Sequence, residues 1–190
     1  MKSFSFLVLV CTVISGSSQE KLPYYEIPDA PSEYTAGTVV SRMIDGLGFR
    51  YYWATEGLRT EDLNYKPSAE ARTSFQTIEH IFGLTNVILN SVTNATNSDV
   101  NTSELSFNEM RKVTLESLQK ASFILRNSTD ISKFKIIFER GDRSSEFPFW
   151  NQINGPISDA LWHVGQVVSF RRSSGNPYNS KASVFSGKVR

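Results

Sequence analysis

Four stretches of this chain space their apolar residues at i, i+3 and i+4, and that period restricts what it can fold into more than any other feature. Val40, Met43, Ile44, Leu47, Tyr51, Ala54 and Leu58 keep the spacing between Ser32 and Leu58. Gly46 and Gly48 weaken that helix, each by up to ~1 kcal/mol against Ala. A second stripe (Ile78, Ile81, Phe82, Thr85, Ile88, Leu89, Val92) follows Thr73-x-x-Gln76. A third (Phe107, Met110, Val113, Leu115, Leu118, Ala121, Leu125) follows Ser106-x-x-Glu109. Both tetrads are capping boxes, in which side chain and backbone exchange hydrogen bonds at a helix start. The fourth stretch runs from near Pro148 to about Ser174 through Ile153, Ile157, Ala160, Leu161, Val164 and Val168, and Gly175-Asn176-Pro177 stops it. Gly155-Pro156 inside it predicts a kink or a split. Each stripe must be buried against another element, so the pattern predicts an all-α four-helix bundle.

The intervening segments carry weaker signals. Residues 19–31 hold three prolines and read as an extended lead-in, 59–72 as a loop, and 94–105 as a polar linker. Residues 128–146 form an irregular connector before the last helix. Within it Lys133 to Glu139 has the composition of a short strand, which needs partners to persist. The segment 171–190 has five basic residues and no acid, and reads as a solvated tail.

Residues 1–18 combine Lys2, an apolar run from Phe4 to Ile14 and the small residues Ser15-Gly16-Ser17-Ser18. This pattern predicts a signal peptide cleaved after Ser17 or Ser18, leaving a single domain over 19–190 that is exported to a periplasmic or extracellular space. The run is shorter than the ~20 apolar residues of a membrane span. A lipoprotein signal at Cys11 is the rival, with Val10 where a small residue is expected. Sequons at Asn94, Asn101 and Asn127 read as chance matches in Asn/Ser/Thr-rich linkers unless the host glycosylates them.

Composition narrows the chemistry. The 20 Lys+Arg balance 19 Asp+Glu, which argues against a nucleic-acid partner. One Cys excludes an intrachain disulfide, a cysteine zinc cluster and a CxxC redox pair. Of the two histidines, His163 follows Asp159 by four residues, and Gln166 lies one turn on. Side chains four apart on a helix are ~6 Å neighbours, so a carboxylate and an imidazole can address one divalent cation. His80, on the strip with Thr77, Leu84 and Val87, offers a second imidazole from another helix. The competing reading is a helical ion pair or a hydrogen-bonded core histidine. A Ser-His-Asp triad at His163 lacks a Gly-x-Ser-x-Gly turn, and no carboxylate pair stands out for glycosidase chemistry. Gly46-Leu47-Gly48 lacks the strand–loop setting of a phosphate-binding turn. Tyr51, Tyr52, Trp53, Phe147, Phe149, Trp150 and Trp162 read as core packing or as the lining of an aromatic pocket.

Phe147-Pro148-Phe149-Trp150-Asn151-Gln152-Ile153-Asn154-Gly155-Pro156 with Asp159-Ala160-Leu161-Trp162-His163-Val164-Gly165-Gln166 resembles the last helix of the DinB-like superfamily. Arg171-Arg172, Gly175-Asn176-Pro177, Trp53 through Leu58, Tyr65-Lys66-Pro67 and the helix bearing His80 extend the likeness across residues 33–187. The family name carries no implication of DNA binding. The resemblance implies an up-down-down-up four-helix bundle, often a homodimer, with a metal at three histidines. His80 matches the first position and His163 the last. Asp159 stands where the family's His-x-x-x-His motif begins, and Val164 where its His-Arg-Gly-Gln run has Arg. A two-His-one-carboxylate site for zinc, nickel, iron or manganese is then implied, with Gln166 orienting a ligand. Characterised relatives are thiol-dependent transferases and metal-dependent hydrolases, so the expectation is an exported metalloprotein acting on a small molecule. The alternative is a non-catalytic binding or structural bundle whose metal site has lapsed. The first reading requires the donor atoms of His80, Asp159 and His163 to converge on one centre, with metal bonds of ~2.0–2.2 Å.

Overall fold

The computed structural model describes residues 21–190; the predicted signal peptide and Cys11 lie outside the described residues. Each early long helix opens on a side-chain cap. Thr35 accepts from the Thr38 N–H to start α1 (Ala36–Thr55). A five-residue helix, α2 (Thr60–Asn64), occupies part of the segment expected as loop. Asp62 nucleates it by accepting from the Arg59 backbone N–H at 2.8 Å and from the Arg59 guanidinium at 2.9 and 3.0 Å. The two capping boxes read from the sequence open α3 (Ser74–Thr93) and α4 (Phe107–Arg126). Asn94 closes α3 in the left-handed conformation.

The all-α expectation is corrected, because the chain is mostly helical with a small mixed sheet. β1 (Thr96–Asn97) pairs in parallel with β2 (Lys135–Arg140), and β2 pairs antiparallel with β3 (Arg143–Pro148). The residues Lys133 to Glu139 find their partner in the segment just after them, across a turn at Gly141 (φ 58°). Asn97, from the linker expected to lack order, is buried and donates its side-chain amide to the Ile137 carbonyl at 2.8 Å. Pro148 therefore ends a strand rather than opening the last helix. That helix is split as Gly155-Pro156 predicts: a π-turn (Ile153–Ile157), with Gly155 at non-helical φ −91° and ψ −112°, leads into α5 (Ser158–Ser173). The tail is also corrected. It folds back through β4 (Ala182–Ser183) and β5 (Lys188–Val189), burying Ala182 and taking the Ile27 N–H on the Gly187 carbonyl at 2.9 Å.

The long helices pack in a closed cycle: α1 lies against α4 and α5, and α3 against α4 and α5. Most stripe residues are buried between them, Ile44, Leu47, Tyr51, Ile78, Ile81, Ile88, Met110, Leu115, Leu118 and Leu125 among them. Val113 is not; it sits on the flank of α4, and Thr114 turns inward in its place, hydrogen-bonded to the Met110 carbonyl at 2.8 Å. Among the described residues, no helix is long and apolar enough to cross a membrane.

Three polar networks fix how these helices meet. Buried Asp45 on α1 accepts from Tyr24 (3.1 Å), Ser122 (2.5 Å) and Arg126 (2.7 Å), tying the lead-in and α4 to α1. At the opposite end Arg111 of α4 donates to Thr55 at 2.9 Å and pairs with Glu56, so α4 runs antiparallel to α1. Buried Arg171 near the end of α5 donates to the carbonyls of Trp53, Ala54 and Glu56, each at 3.0 Å, so α5 runs parallel to α1. Asp62 joins this last cluster, accepting from Ser174 and Asn176 at 2.6 Å each.

Gly48 is needed where it stands. A Cβ there would lie 2.4–2.7 Å from the Tyr24 ring, whereas one on Gly46 would meet only the Arg50 guanidinium at 3.3 Å. Gly48→Ala is therefore expected to lower stability by roughly 1–3 kcal/mol through overpacking. Gly46→Ala is expected to be neutral or to gain up to ~1 kcal/mol from helix propensity. Urea unfolding of the two variants measures the contrast.

The Arg59 guanidinium, then Ser174, the Arg59 backbone and Asn176, hold the Asp62 carboxyl well below the usual carboxylate range. A carboxyl depressed in the folded state adds stability that is complete above its unfolded pKa of ~3.9 and is lost as pH falls toward the folded value. Asp62→Asn is expected to be less stable than the parent by roughly 2 kcal/mol at pH 7. The gap should narrow progressively below about pH 4. Chemical denaturation at a series of pH values tests both statements.

Candidate metal centre

The last helix is held at both ends before it presents any chemistry. At its start the fully buried Gln152 donates its side-chain amide to the Val87 carbonyl of α3 at 3.1 Å. At its end Arg171 fastens it to α1. Between the two, the π-turn resets the helical phase, as such turns do near functional sites. Ala160, Val164 and Val167 then face the core. Asp159, His163 and Gln166 fall on the shoulder turned to α3, at i, i+4 and i+7. Asp159 lies in the first turn of α5, where the helix dipole favours a carboxylate.

His80 reaches this shoulder from α3. Its Nε2 lies 3.3 Å from Asp159 Oδ2, and His163 Nε2 lies 3.3 Å from Asp159 Oδ1. The imidazoles meet edge to face, with centroids 4.5 Å apart and planes at 88°. One ligand atom from each of His80, Asp159 and His163 lies within 4.8 Å of the others, a cluster that could hold a metal ion. The site is accessible: the side chains of His80 and Asp159 are 35% and 39% exposed, while His163 is 15% exposed. An open cleft of about 590 Å³, walled by Lys66, Glu70, Arg72 and Gln76, leads to His80.

Gln166 does not touch the carboxylate. Its Oε1 lies 2.9 Å from His163 Nδ1, and an amide oxygen can only accept, so Nδ1 carries the hydrogen. A neutral His163 then aims the Nε2 lone pair at the Asp159 carboxylate. A lone pair facing an anion at 3.3 Å is repulsive unless positive charge lies with them, either a proton or a cation. Two imidazoles and a carboxylate suit zinc, nickel, ferrous iron or manganese, and in a tetrahedral site with ~2.1 Å bonds neighbouring donors lie ~3.4 Å apart. The donor set fits such an ion, and one donor atom from each residue lies within 4.8 Å of the others.

The aromatic residues do not form one pocket. Tyr51, Tyr52, Trp53 and Phe149 are buried in the core, where Trp53 packs against Tyr25 with ring centroids 5.2 Å apart. Trp150 and Trp162 are 70% and 73% exposed, and Phe147 lies at the surface of the hairpin. Sequence reasoning did not single out Gln152 or Arg171 as the residues that set the pose of α5. Arg171 falls seven residues after Val164 and four after Val167, in line with the apolar stripe, which was the available signal for the second; Gln152 offered none. Comparison with protein-family models, curated proteins and solved structures found no match.

The Gln166 contact predicts that His163 Nδ1 carries a hydrogen, which leaves Nε2 as the ring atom that a bound cation would take. Nitrogen-15 shifts of the His163 ring in the zinc-loaded protein should show Nδ1–H with Nε2 bound, and Gln166→Leu should weaken that preference. An unprotonated Nδ1 in the parent would remove this positioning role.

Proposed function

We propose that this chain is an exported DinB-like four-helix bundle that binds one divalent metal (zinc, nickel, iron or manganese) through His80, Asp159 and His163 and acts on a small molecule. The supporting observation is the convergence of three donors from two helices, with a polar cleft opening on His80. The helix directions agree with an up-down-down-up order. Arg111 makes α4 antiparallel to α1, and Arg171 makes α5 parallel to it. The pairing of Val87 with Gln152 and of His80 with Asp159 makes α3 antiparallel to α5.

An ion bound there lowers the pKa of a water or a thiol, which is the chemistry shared by metal-dependent hydrolases and thiol-dependent transferases. The chain's own residues supply the rest. His80 and His163 offer neutral nitrogen donors, and Asp159 offsets part of the ion's charge. Gln166 fixes the His163 ring so that Nε2, not Nδ1, faces the centre. Lys66 and Arg72 in the cleft wall attract an anionic portion of a substrate, and the exposure of Asp159 leaves room for it beside the centre.

Metal analysis of the purified protein, reconstituted separately with each of the four ions, tests the reading. One equivalent is expected in the parent and none in His163→Ala. Gln166→Leu is expected to retain the ion with affinity weakened roughly 10–100-fold. If the parent holds no stoichiometric metal, the enzymatic reading falls and the bundle is a binding or structural protein.

A further inference from the structure

The shoulder of α5 opposite the metal centre is also open. Leu161, Val164, Gly165 and Val168 line one side of a groove of about 570 Å³, and α1 supplies the other with Trp53 and Gly46. Tyr178 and Val184 of the folded-back tail close it. The two glycines explain why parallel helices leave a slot here. A Cβ on Gly165 would meet nothing within 4 Å, and one on Gly46 would meet only the tip of Arg50.

The groove carries charge of one sign. Arg42 and Arg50 line it and no acidic residue does. Among the described residues neither arginine forms an ion pair. Arg42 donates to the Pro28 carbonyl at 2.8 Å, and Arg50 folds back along α1 to the Gly46 carbonyl at 3.0 Å. That posture keeps the Arg50 guanidinium at the groove wall with most of its five donors unused. A guanidinium fork matches a carboxylate, and an apolar slot of this volume takes one ligand of small-molecule size.

We propose that the groove between α1 and α5 binds a long-chain carboxylate, its alkyl chain along Trp53, Leu161 and Val168 and its headgroup on Arg50 with Arg42 beside it. This site is separate from His80, Asp159 and His163 and does not depend on a metal being held there.

Titration of the purified protein with dodecanoate, kept below the concentration at which it forms micelles, is expected to show saturable binding of one molecule per chain. Dodecan-1-ol, with the same chain and no charge, should bind roughly tenfold more weakly or worse. Arg50→Gln, a change at the surface, should weaken dodecanoate by roughly tenfold while leaving dodecan-1-ol unchanged. Gly165→Leu places a side chain in the open slot and should reduce binding of both. Circular dichroism checks that each variant keeps its helices. The proposal is overturned by any of three results: no saturable dodecanoate binding by the parent, equal affinity for the alcohol, or unchanged dodecanoate affinity in a folded Arg50→Gln protein. Metal content measured on the same samples keeps this outcome distinct from that of the metal centre.

Discussion

The Arg171 guanidinium donates into the carbonyls of Trp53, Ala54 and Glu56, groups that the end of α1 would otherwise leave without partners. Its Nε adds the Asn176 carbonyl at 2.6 Å, so one buried side chain caps α1, stops α5 and turns the chain into the tail. A buried cation is costly unless its donors are used, and here they are spent on oriented backbone dipoles instead of a carboxylate. Asp62 lies in the next layer, joining α2 to the same corner through Ser174 and Asn176. The rotational setting of α5 follows from this corner and from Gln152 at the other end. Every feature that α5 presents to solvent inherits that setting.

Because α5 is clamped at both ends, its residues divide into sectors with different duties. Ala160, Val164 and Val167 form the buried sector, Asp159 and His163 look along one flank to α3, and Leu161 and Val168 along the other to α1. A helix that buries one face and lines a groove on each shoulder needs apolar residues over more than a single stripe. The polar residues that remain are then few and conspicuous. The π-turn at Gly155-Pro156 is the joint that allows the buried Phe149 and Gln152 before it and Asp159 after it to satisfy different neighbours.

Much of the helical framework was legible because its signals are local. Thr73 with Gln76 and Ser106 with Glu109 mark starts within four residues, and Gly155-Pro156 marks the split by chemistry that needs no tertiary context. What escaped notice depends on distant partners. The helix α2 is only five residues long, and its Asp62 is completed by side chains more than a hundred positions away. Two-residue β1 exists only because β2 lies beside it, and Val113 obeys the period yet sits just outside the buried arc. Gly48 read as a weak point of α1, whereas the Tyr24 ring makes its missing side chain a requirement. For the candidate site, the i, i+4 spacing put Asp159 beside His163. Periodicity alone could not state that His80 comes within reach from α3, since helix pairing is a property of the packed chain.

The tail that closes the groove between α1 and α5 is joined to the lead-in by contacts such as Val189 with Glu26, 163 residues apart. Once the helices have packed, the lead-in and the tail are already neighbours, and Ile27 with Gly187 and Lys188 with Glu26 and Asp29 complete the closure that β4 and β5, two residues each, only begin. The wall formed by Tyr178 and Val184 is thus held by a short strand pair and by Ile27 rather than by a helix. The groove beside α5 is completed by two segments outside the helical framework, and a change in either one reshapes it without touching α1 or α5.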